Sequence, residues 1–242
     1  MDFGNISTNI IKKGLVFNMD AANRASTIPS TNTGKTFNTI NPSQSGSIVT
    51  DATWEDGLPP SFDFDGTDAR IQTSGFSLAG FSSVTVSHWI NRSGTNNPTG
   101  RIFYESTNTI NYLRLATNID TNAKAGVEMR LDNTGTNYYI TGTTTLTQGS
   151  WYLITVIYDG STSEYKLYVN TTSEGSVLGG TPSGNFSSNA SNNLPMLGAG
   201  INAGSLSNYL NAKIGSIHIY NRALSASEVL FNYNGLKSRF GL

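Results

Sequence analysis

The sequence contains no cysteine. Disulfide bonds, thiol catalysis and cysteine-ligated metals are therefore excluded. Charge is also scarce, because charged residues make up 13% of the 242 residues and the formal net charge is -1. The chain thus lacks the basic surface that nucleic acids require. No apolar run approaches the roughly 20 residues of a membrane-spanning helix. We expect neither nucleic-acid binding nor membrane insertion.

The first thirteen residues lack the basic and then apolar segments of a signal peptide. They are mostly polar, and we interpret residues 1–13 as an N-terminal arm that could dock on a neighbour or fray. The residues from 14 to 242 show no internal repeat and no linker, so we predict one domain over 14–242.

The abundant residues are those of short strands and turns: 25 glycines and long runs of serine, threonine and asparagine. Residues 151–170 form the strongest hairpin, and their first arm is apolar on both faces, which predicts a central strand. Residues 61–71 are interpreted as two strands joined by a hairpin turn at Asp65-Gly66. Further strands are predicted at 14–20, 35–38, 47–50, 83–90, 101–105, 111–116, 126–131, 137–141 and 194–197.

The segment 212–229 is a strand that runs into a helix. Simple alternation places Ile214, Ser216, His218 and Tyr220 on one side of this strand. Ser225 and Glu228 then form a capping box. The helix is expected to have Val229, Leu230 and Tyr233 as its apolar face and to stop at Asn234-Gly235.

Four segments in order carry a family resemblance: FDFDG at 62–66 followed by Arg70, VTVSHWI at 84–90, the hairpin 151–170, and YNRALS at 220–225. Together they resemble laminin-G-like, concanavalin A-like jelly rolls. The resemblance implies an all-β fold, a jelly-roll β-sandwich with a short C-terminal helix. Thr171 stands where the family usually has a glycine, which affects the local turn only. Residues 14–26 and 232–242 also look like a lectin-like group found in bacteriophage structural proteins.

The concanavalin A-like fold also includes β-glucanases, whose strand motif Glu-x-Asp-x-x-Glu is absent here. A retaining hydrolase needs two carboxyl groups about 5–5.5 Å apart. The glutamates are instead scattered singly: Glu55, Glu105, Glu128, Glu164, Glu174 and Glu228. His88 and His218 lie in predicted strands and are expected to be hydrogen-bonded or half-buried rather than catalytic. We predict no catalytic residues and no enzyme activity.

Candidate metal ligands are aspartates next to turns. Asp63, Asp65 and Asp68 form a short acidic run, but Ser74 stands where a calcium-binding helix–loop–helix motif has its glutamate. Asp132 and Asp159 lie at strand ends, where aspartate is an ordinary turn residue. We therefore predict no metal and no cofactor.

Sugar-binding sites typically pair an aromatic platform with polar loop residues. Aromatic residues that fit by composition are Trp54, Tyr104, Tyr112, Tyr138, Tyr139 and Tyr209. Most are expected to pack in the core. The sequence ranks none above another, so the ligand-binding residues stay unknown.

The resemblance and the absences above lead to one hypothesis. We expect a non-enzymatic phage virion structural protein, a capsid decoration or a tail- or fibre-associated component, acting in particle assembly and surface adhesion. Its partners would be other virion proteins and host surface glycans, in a homo-oligomer or multi-copy assembly, with the loops 21–60 and 171–192 facing outward. A virion is assembled in the host cytoplasm and works outside, which reconciles this fold with the absent cysteine and signal peptide.

One alternative is a bacterial carbohydrate-binding module or adhesin domain, extracellular or at the cell surface and with or without calcium dependence. A glycoside hydrolase or lyase is a more distant alternative.

Overall fold

The computed structural model describes residues 9–27, 34–49, 52–94, 99–106, 114–131, 136–175, 195–202 and 205–242, together with 177, 180–182, 184 and 186. For residues 99, 104–106, 114–116 and 202 it describes the backbone alone. The strands in these ranges are β1 (Leu15–Asp20), β2 (Lys35–Phe37), β3 (Ser45–Val49), β4 (Thr53–Glu55), β5 (Ser61–Asp65), β6 (Arg70–Ser74), β7 (Ser83–Arg92), β8 (Thr99–Ser106), β9 (Arg114–Asp120), β10 (Lys124–Arg130), β11 (Tyr138–Thr145), β12 (Trp151–Asp159), β13 (Glu164–Val169), β14 (Thr172–Glu174), β15 (Met196–Leu197), β16 (Gly200–Asn202), β17 (Ser205–Ser207) and β18 (Asn211–Tyr220). An α-helix, α1 (Ala226–Leu236), and a 3-10 helix (Lys237–Phe240) follow.

The strands form two antiparallel sheets of eight. Sheet A has the order β14-β13-β12-β7-β18-β5-β4, and β1 also pairs with β18. Sheet B has the order β11-β10-β9-β8-β15-β6-β3-β2, and β16 and β17 form a separate hairpin. The predicted all-β sandwich with one short helix is confirmed. Among the residues that the structure describes, helices fall short of the length and hydrophobicity that crossing a membrane requires.

The main core lies between the two sheets. Strands β12 and β7 show how alternation fills it: Val84, Val86 and Ile90 of β7 and Ile154 and Val156 of β12 all face this core. The other face of β12 is also buried, because the C-terminal helical segment covers it. β12 pairs with β7 on one side and β13 on the other, so the predicted central strand is confirmed.

The turn at Asp65-Gly66 differs from the prediction. It is not a hairpin turn, because β5 belongs to sheet A whereas β6 belongs to sheet B. The carboxylate oxygen Oδ1 of Asp65 accepts hydrogen bonds from the backbone N–H groups of Thr67, Asp68 and Ala69, at 2.8, 3.2 and 3.2 Å. These bonds stabilise a tight corner in which the chain crosses from one sheet to the other.

The strand β18 contains a bulge that the alternating pattern does not reveal. The register with β7 shifts between Ile214 and Ser216, so Gly215 is an extra residue. Ile214 therefore faces the main core, whereas Ser216, His218 and Tyr220 face the outer side of sheet A. The predicted grouping of Ile214 with these three residues was wrong for this reason.

The helix α1 begins as predicted. Ser225 accepts a hydrogen bond from the backbone N–H of Glu228, and Glu228 accepts one from the backbone N–H of Ser225. Arg222 adds a two-pronged bond to the Glu228 carboxylate, at 2.8 and 2.6 Å. Bonds from Arg222 hold the pKa of Glu228 at about 2. The start of the helix is thus fixed by charge as well as by its cap.

The rest of the helix departs from the prediction. Val229 is buried as expected, but Leu230 is 46% exposed, and Asn232 is buried in its place. The Asn232 amide accepts from the backbone N–H of Ile11 and donates to the Tyr220 hydroxyl, at 2.8 and 3.0 Å. A polar residue thus forms part of the buried face because it has a partner on each side.

The helix also continues through Gly235 instead of ending there. A Cβ at this position would lie 1.9 Å from the carbonyl oxygen of Asn9. Gly235 therefore allows the first described residues to lie against α1, and Ile10 is buried there. Residues 9–11 of the predicted arm lie against this chain's own helix, whereas residues 1–8 lie outside the described residues.

Candidate functional site

The outer face of sheet A is covered over part of its area. Residues of β7, β12 and β18 on this face pack under α1, the 3-10 helix and residues 10–15. The largest is Trp89, which is fully buried and stacks on Phe240 with the ring centroids 4.2 Å apart. Tyr233 of α1 stacks on the same tryptophan at 5.7 Å. This part of the face is a second, smaller core.

Beyond this cover, the same face holds an open groove with a cavity volume of about 500 Å³. It lies where β4, β7, β12 and β18 end or begin, and the loops 56–60 and 146–150 form its rims. The side chains that matter most for its chemistry are those of Glu55, Leu58, Asn91, Gln148, Trp151 and Lys213.

Three side chains that line the groove, with Asp63 beside them, form a row across neighbouring strands. Trp151 pairs with Asn91, Asn91 with Lys213, and Lys213 with Asp63. Cross-strand partners lie on the same face of a sheet with Cβ atoms about 5 Å apart. An aromatic ring, an amide, an ammonium group and a carboxylate are therefore placed side by side.

Trp151 forms one wall and is half-buried. Its ring lies 4.8 Å from that of Phe240, with the two planes 54° apart. Phe240 covers the side of Trp151 towards the helical segment, and the groove lies beside its remaining surface. Sequence analysis placed Trp151 in the strong hairpin but did not name it as a candidate platform. Only the register with Asn91 and Lys213 indicates that role.

Lys213 binds two carboxylates. It donates a hydrogen bond to Glu55, and its Nζ atom lies 3.7 Å from Oδ2 of Asp63. The bond to Glu55 raises the pKa of Lys213, so this side chain stays charged. Burial, together with the negative charge of Glu55, raises the pKa of Asp63 although Lys213 opposes that shift. The groove thus contains a compensated cluster of charges.

The rim opposite Glu55 is fixed by amide and guanidinium bonds. The side-chain amides of Asn91 and Gln148 donate to the carbonyl oxygens of Gly149 and Ser93, at 2.9 and 2.6 Å. Arg92 donates from Nε to the carbonyl oxygen of Leu146 at 2.9 Å. These bonds tie the loop 146–150 to the end of β7, so the rim is already ordered without a ligand.

The glutamate side chains that the structure describes do not come together. Glu128 forms a buried ion pair with Arg101 at 3.3 Å. Glu174 accepts hydrogen bonds from Thr143 and Thr144, which join β14 of sheet A to β11 of sheet B. These bonds outweigh burial and lower the pKa of Glu174. The others lie apart: Glu55 in the groove, Glu164 beside Lys166, Glu228 in the helix cap, and Glu105 with its side chain outside the described residues.

Both histidines are fully buried, more deeply than predicted. The ring nitrogens of His88 lie 2.9 Å from the carbonyl oxygen of Ile154 and 2.8 Å from the hydroxyl of Thr117. His218 lies on the opposite face of sheet A, near the ion pair of Asp20 and Arg239. Burial lowers the pKa of both histidines to about 4. Neither is accessible as a general base.

The aspartate candidates that the structure describes have structural partners. Asp65 stabilises the corner between the sheets, and its bonds there lower its pKa in spite of burial. Asp159 accepts from the backbone and hydroxyl of Ser161 in the hairpin turn. Asp132 lies outside the described residues. Within the described ranges, no three histidine or acidic residues cluster as metal ligands would.

The aromatic candidates are spread over the molecule. Trp54 donates to the carbonyl oxygen of Ala21 at 2.9 Å and packs against the main core. Tyr138 is buried in that core, whereas Tyr139 is 40% exposed on β11. Tyr209 packs beside Met196 and Ala199. The Tyr104 side chain and Tyr112 lie outside the described residues. No two of the described candidates share a site.

Solved structures with the same fold are distant in sequence. One is the binding domain of Paraclostridial Mosquitocidal Protein 1, with 18% identity and a TM-score of 0.65. The match covers 91% of this chain and 52% of that chain. Another concerns botulinum neurotoxin type C, whose cell entry depends on two ganglioside molecules, with 15% identity and a TM-score of 0.64. This match covers 92% of this chain and 51% of that chain. A third is a mutant of Trypanosoma rangeli sialidase, with 12% identity and a TM-score of 0.63. This match covers 95% of this chain and 34% of that chain.

This chain therefore spans about half or a third of these three structures, and the likeness concerns the fold. No curated protein sequence matches it significantly. A family model described as the concanavalin A-like lectin/glucanases superfamily matches residues 65–230, well over half of the chain. This range includes the corner at Asp65, the strands β7, β12 and β18, and the capped start of α1. The chain belongs to the concanavalin A-like lectin/glucanases superfamily.

Proposed function

We propose that this protein is a non-enzymatic, lectin-like binding module that holds a glycan in the groove beside Trp151. One observation carries the proposal: a half-buried tryptophan shares a cross-strand row with an amide and an ammonium group. Binding sites for small polar ligands combine apolar surface with a few placed polar groups. A pyranose ring matches this arrangement, because its C–H faces are apolar and its rim carries hydroxyl groups.

The charges of the groove favour an uncharged sugar. Lys213 is already paired with Glu55, and Asp63 lies next to both. An anionic sugar would approach two carboxylates, whereas hydroxyl groups can donate to Glu55 and accept from Lys213 without an unpaired charge. We therefore propose neutral hexoses or N-acetylhexosamines as the ligand class.

The similar structures support adhesion as the role. One similar structure is the binding domain of botulinum neurotoxin DC in complex with rat synaptotagmin II, and another concerns botulinum neurotoxin type C, whose cell entry depends on two ganglioside molecules. These are statements about those proteins, of which this chain spans about half. They make recognition of a surface the function to test first here.

The non-enzymatic part rests on the groove's own carboxylates. Glu55 lines the groove, but its bond to Lys213 leaves it poorly placed as a free general base. A glycosidase also needs a second carboxyl group across the substrate. Asp63 is instead a neighbour of Glu55 on the same side. Release of reducing sugar from a polysaccharide that the protein binds would overturn this part.

A glycan array with three proteins tests the site. We expect the native protein to bind a neutral glycan, and Trp151→Ala to weaken that binding about tenfold or more, which corresponds to about 1.4 kcal/mol. Tyr139→Ala is the matched control, because Tyr139 is an exposed aromatic residue on sheet B. Equal binding by Trp151→Ala and the native protein would remove the groove from the proposal.

We also propose the setting: a phage virion structural protein in several copies, with other virion proteins as partners. This part rests on the resemblance of residues 14–26 and 232–242 to a lectin-like group in phage structural proteins. Mass spectrometry and immunogold labelling of purified virions test it. A high copy number on particles supports the virion role, and the position of the label separates capsid from tail. Detection on cells or in the medium instead would favour a bacterial carbohydrate-binding module or adhesin.

A further inference from the structure

Phe240 lies between the two tryptophans of the outer face of sheet A. Its ring stacks on Trp89 at 4.2 Å with the planes 9° apart, and it meets Trp151 at 4.8 Å. Phe240 itself is 4% exposed. The same ring therefore belongs to the buried cluster under the helices and forms the back of the groove wall.

The bulge in β18 makes room for this ring. A Cβ on Gly215 would lie 2.4 Å from Cε1 of Phe240 and 3.4 Å from Cζ3 of Trp151. A contact of 2.4 Å between carbon atoms is not tolerated in a packed core. The absence of a side chain at 215 thus lets Phe240 lie flat on the sheet, directly beside Trp151.

The residue before Phe240 anchors this part of the chain. Arg239 donates to Oδ2 of Asp20 at 2.9 Å, and the Asp20 side chain is fully buried. The guanidinium carbon of Arg239 also lies 4.7 Å from the centre of the Phe240 ring. Phe240 is therefore held by contacts with Trp89 and Arg239 and by the αL cap at Gly241. A ring fixed in this way can restrict its neighbour.

We propose that Phe240 is a positioning residue for the groove: it sets the orientation of the Trp151 ring on which the ligand stacks. This inference rests on the proposed function for its consequence, because Phe240 acts through Trp151. A platform that is already ordered loses little side-chain freedom when a ligand binds, so affinity depends on the ring behind it. The segment 237–242, far from the groove in sequence, thereby belongs to the binding site.

Tyr233 supplies a matched control. It stacks on Trp89 at 5.7 Å, as Phe240 does, but within the described structure it makes no ring contact with Trp151. Phe240→Leu and Tyr233→Leu both remove one aromatic partner of Trp89. Only Phe240→Leu removes the partner of Trp151. A merely structural role predicts similar effects from the two substitutions.

The test uses the full chain labelled with 5-fluorotryptophan, which gives one fluorine signal for each of Trp54, Trp89 and Trp151. Substitution of each tryptophan by phenylalanine assigns the signals. We expect Phe240→Leu to shift the signals of Trp89 and Trp151, and Tyr233→Leu to shift that of Trp89 alone. If the Trp151 signal has the same chemical shift in Phe240→Leu as in Tyr233→Leu, the inference is wrong.

Titration with lactose and cellobiose, as neutral disaccharide probes, gives the functional readout. We expect the dissociation constant to rise about three- to tenfold in Phe240→Leu and to change less than about twofold in Tyr233→Leu. Equal weakening in both variants would overturn the positioning role. If neither sugar perturbs Trp151 in the native protein, these probes count against the proposed function. The spectra without sugar then still decide whether Phe240 positions Trp151.

Discussion

Trp89 and Trp151 lie one row apart on the same outer face of sheet A and share Phe240 as a neighbour, yet their surroundings differ. Trp89 is fully buried beneath α1, whereas Trp151 is half-buried at the wall of an open groove. The two residues lie on neighbouring paired strands, β7 and β12, and they share the face of the sheet and the side-chain type. The difference comes from the two helices over residues 226–240, which cover one part of this face. They end at Phe240, and the sheet beyond Phe240 lies open to solvent. One continuous face thus serves as a core at one end and as a candidate binding surface at the other.

Replacement of the two tryptophans gives the largest expected contrast. Trp89→Ala should lower the free energy of unfolding by about 3–5 kcal/mol, because it leaves a cavity beneath two aromatic rings. Trp151→Ala should cost about 1 kcal/mol, because this side chain packs on one side only. Urea unfolding followed by circular dichroism measures both. Similar losses at the two positions would mean that the groove wall is part of the core.

Gly215→Ala addresses the boundary between the two regions. The added methyl group would meet Phe240 at 2.4 Å, so we expect a loss of about 1–3 kcal/mol in stability. Gly57→Ala, in the rim of the open groove, is the control. A Cβ there lies 3.5 Å from the carbonyl oxygen of Pro59, an ordinary contact, and the change should stay within about 0.5 kcal/mol. Thermal unfolding of the pair at one pH distinguishes them.

The stability that α1 contributes should depend on pH through Glu228. Its pKa is about 2 in the folded chain against an ordinary value of 4.5, because Arg222 and the helix cap bind the carboxylate. A lowered pKa means that the ionised form stabilises the fold above pH 4.5, and that this contribution is lost as the pH falls towards 2. Glu228→Gln should therefore cost about 1 kcal/mol at neutral pH.

Urea midpoints between pH 7 and about 2.5 test this linkage. The gap between native protein and Glu228→Gln should narrow as the solution is acidified. A gap that stays constant down to the lowest pH would show that Glu228 acts through its shape rather than its charge.

Leu58→Ser should have the smallest effect on stability. Leu58 is 98% exposed at the rim of the groove, so its replacement should change the free energy of unfolding by less than about 0.5 kcal/mol. Leu236, a residue of α1 that is 3% exposed, is the matched position, and Leu236→Ser should be strongly destabilising. Differential scanning calorimetry compares them. A measurable loss from Leu58→Ser would show that the loop 56–60 packs more firmly than its exposure indicates.

Local patterns were enough to predict the sheet content, the central strand β12 and the capping box at Ser225, because each depends on neighbours in sequence. The errors arose where distant segments meet. Gly235 resembles a helix stop, but its role is to admit the backbone of Asn9. Gly215 interrupts the alternation of β18, which reversed the face of Ile214.

The candidate site was less accessible to sequence analysis for a similar reason. Trp151, Asn91 and Lys213 are far apart in the chain, and only the pairing of β7 with both β12 and β18 brings them into one row. At Asp65 the sequence predicted a turn from local residues, but it did not predict that this turn connects a strand of sheet A to a strand of sheet B. Register and sheet order, rather than residue type, define this groove.

The pairing of β1 with β18 has a mechanical consequence for the proposed adhesive role. Leu15 lies opposite Tyr220 and Asp20 opposite Ser216, so the chain enters β1 and leaves β18 at the same end of the pair. Opposing forces on these two ends would load the hydrogen bonds one after another, as in a zipper, rather than all at once. A tether through the residues after Tyr220 alone would leave β1 outside the path of the force.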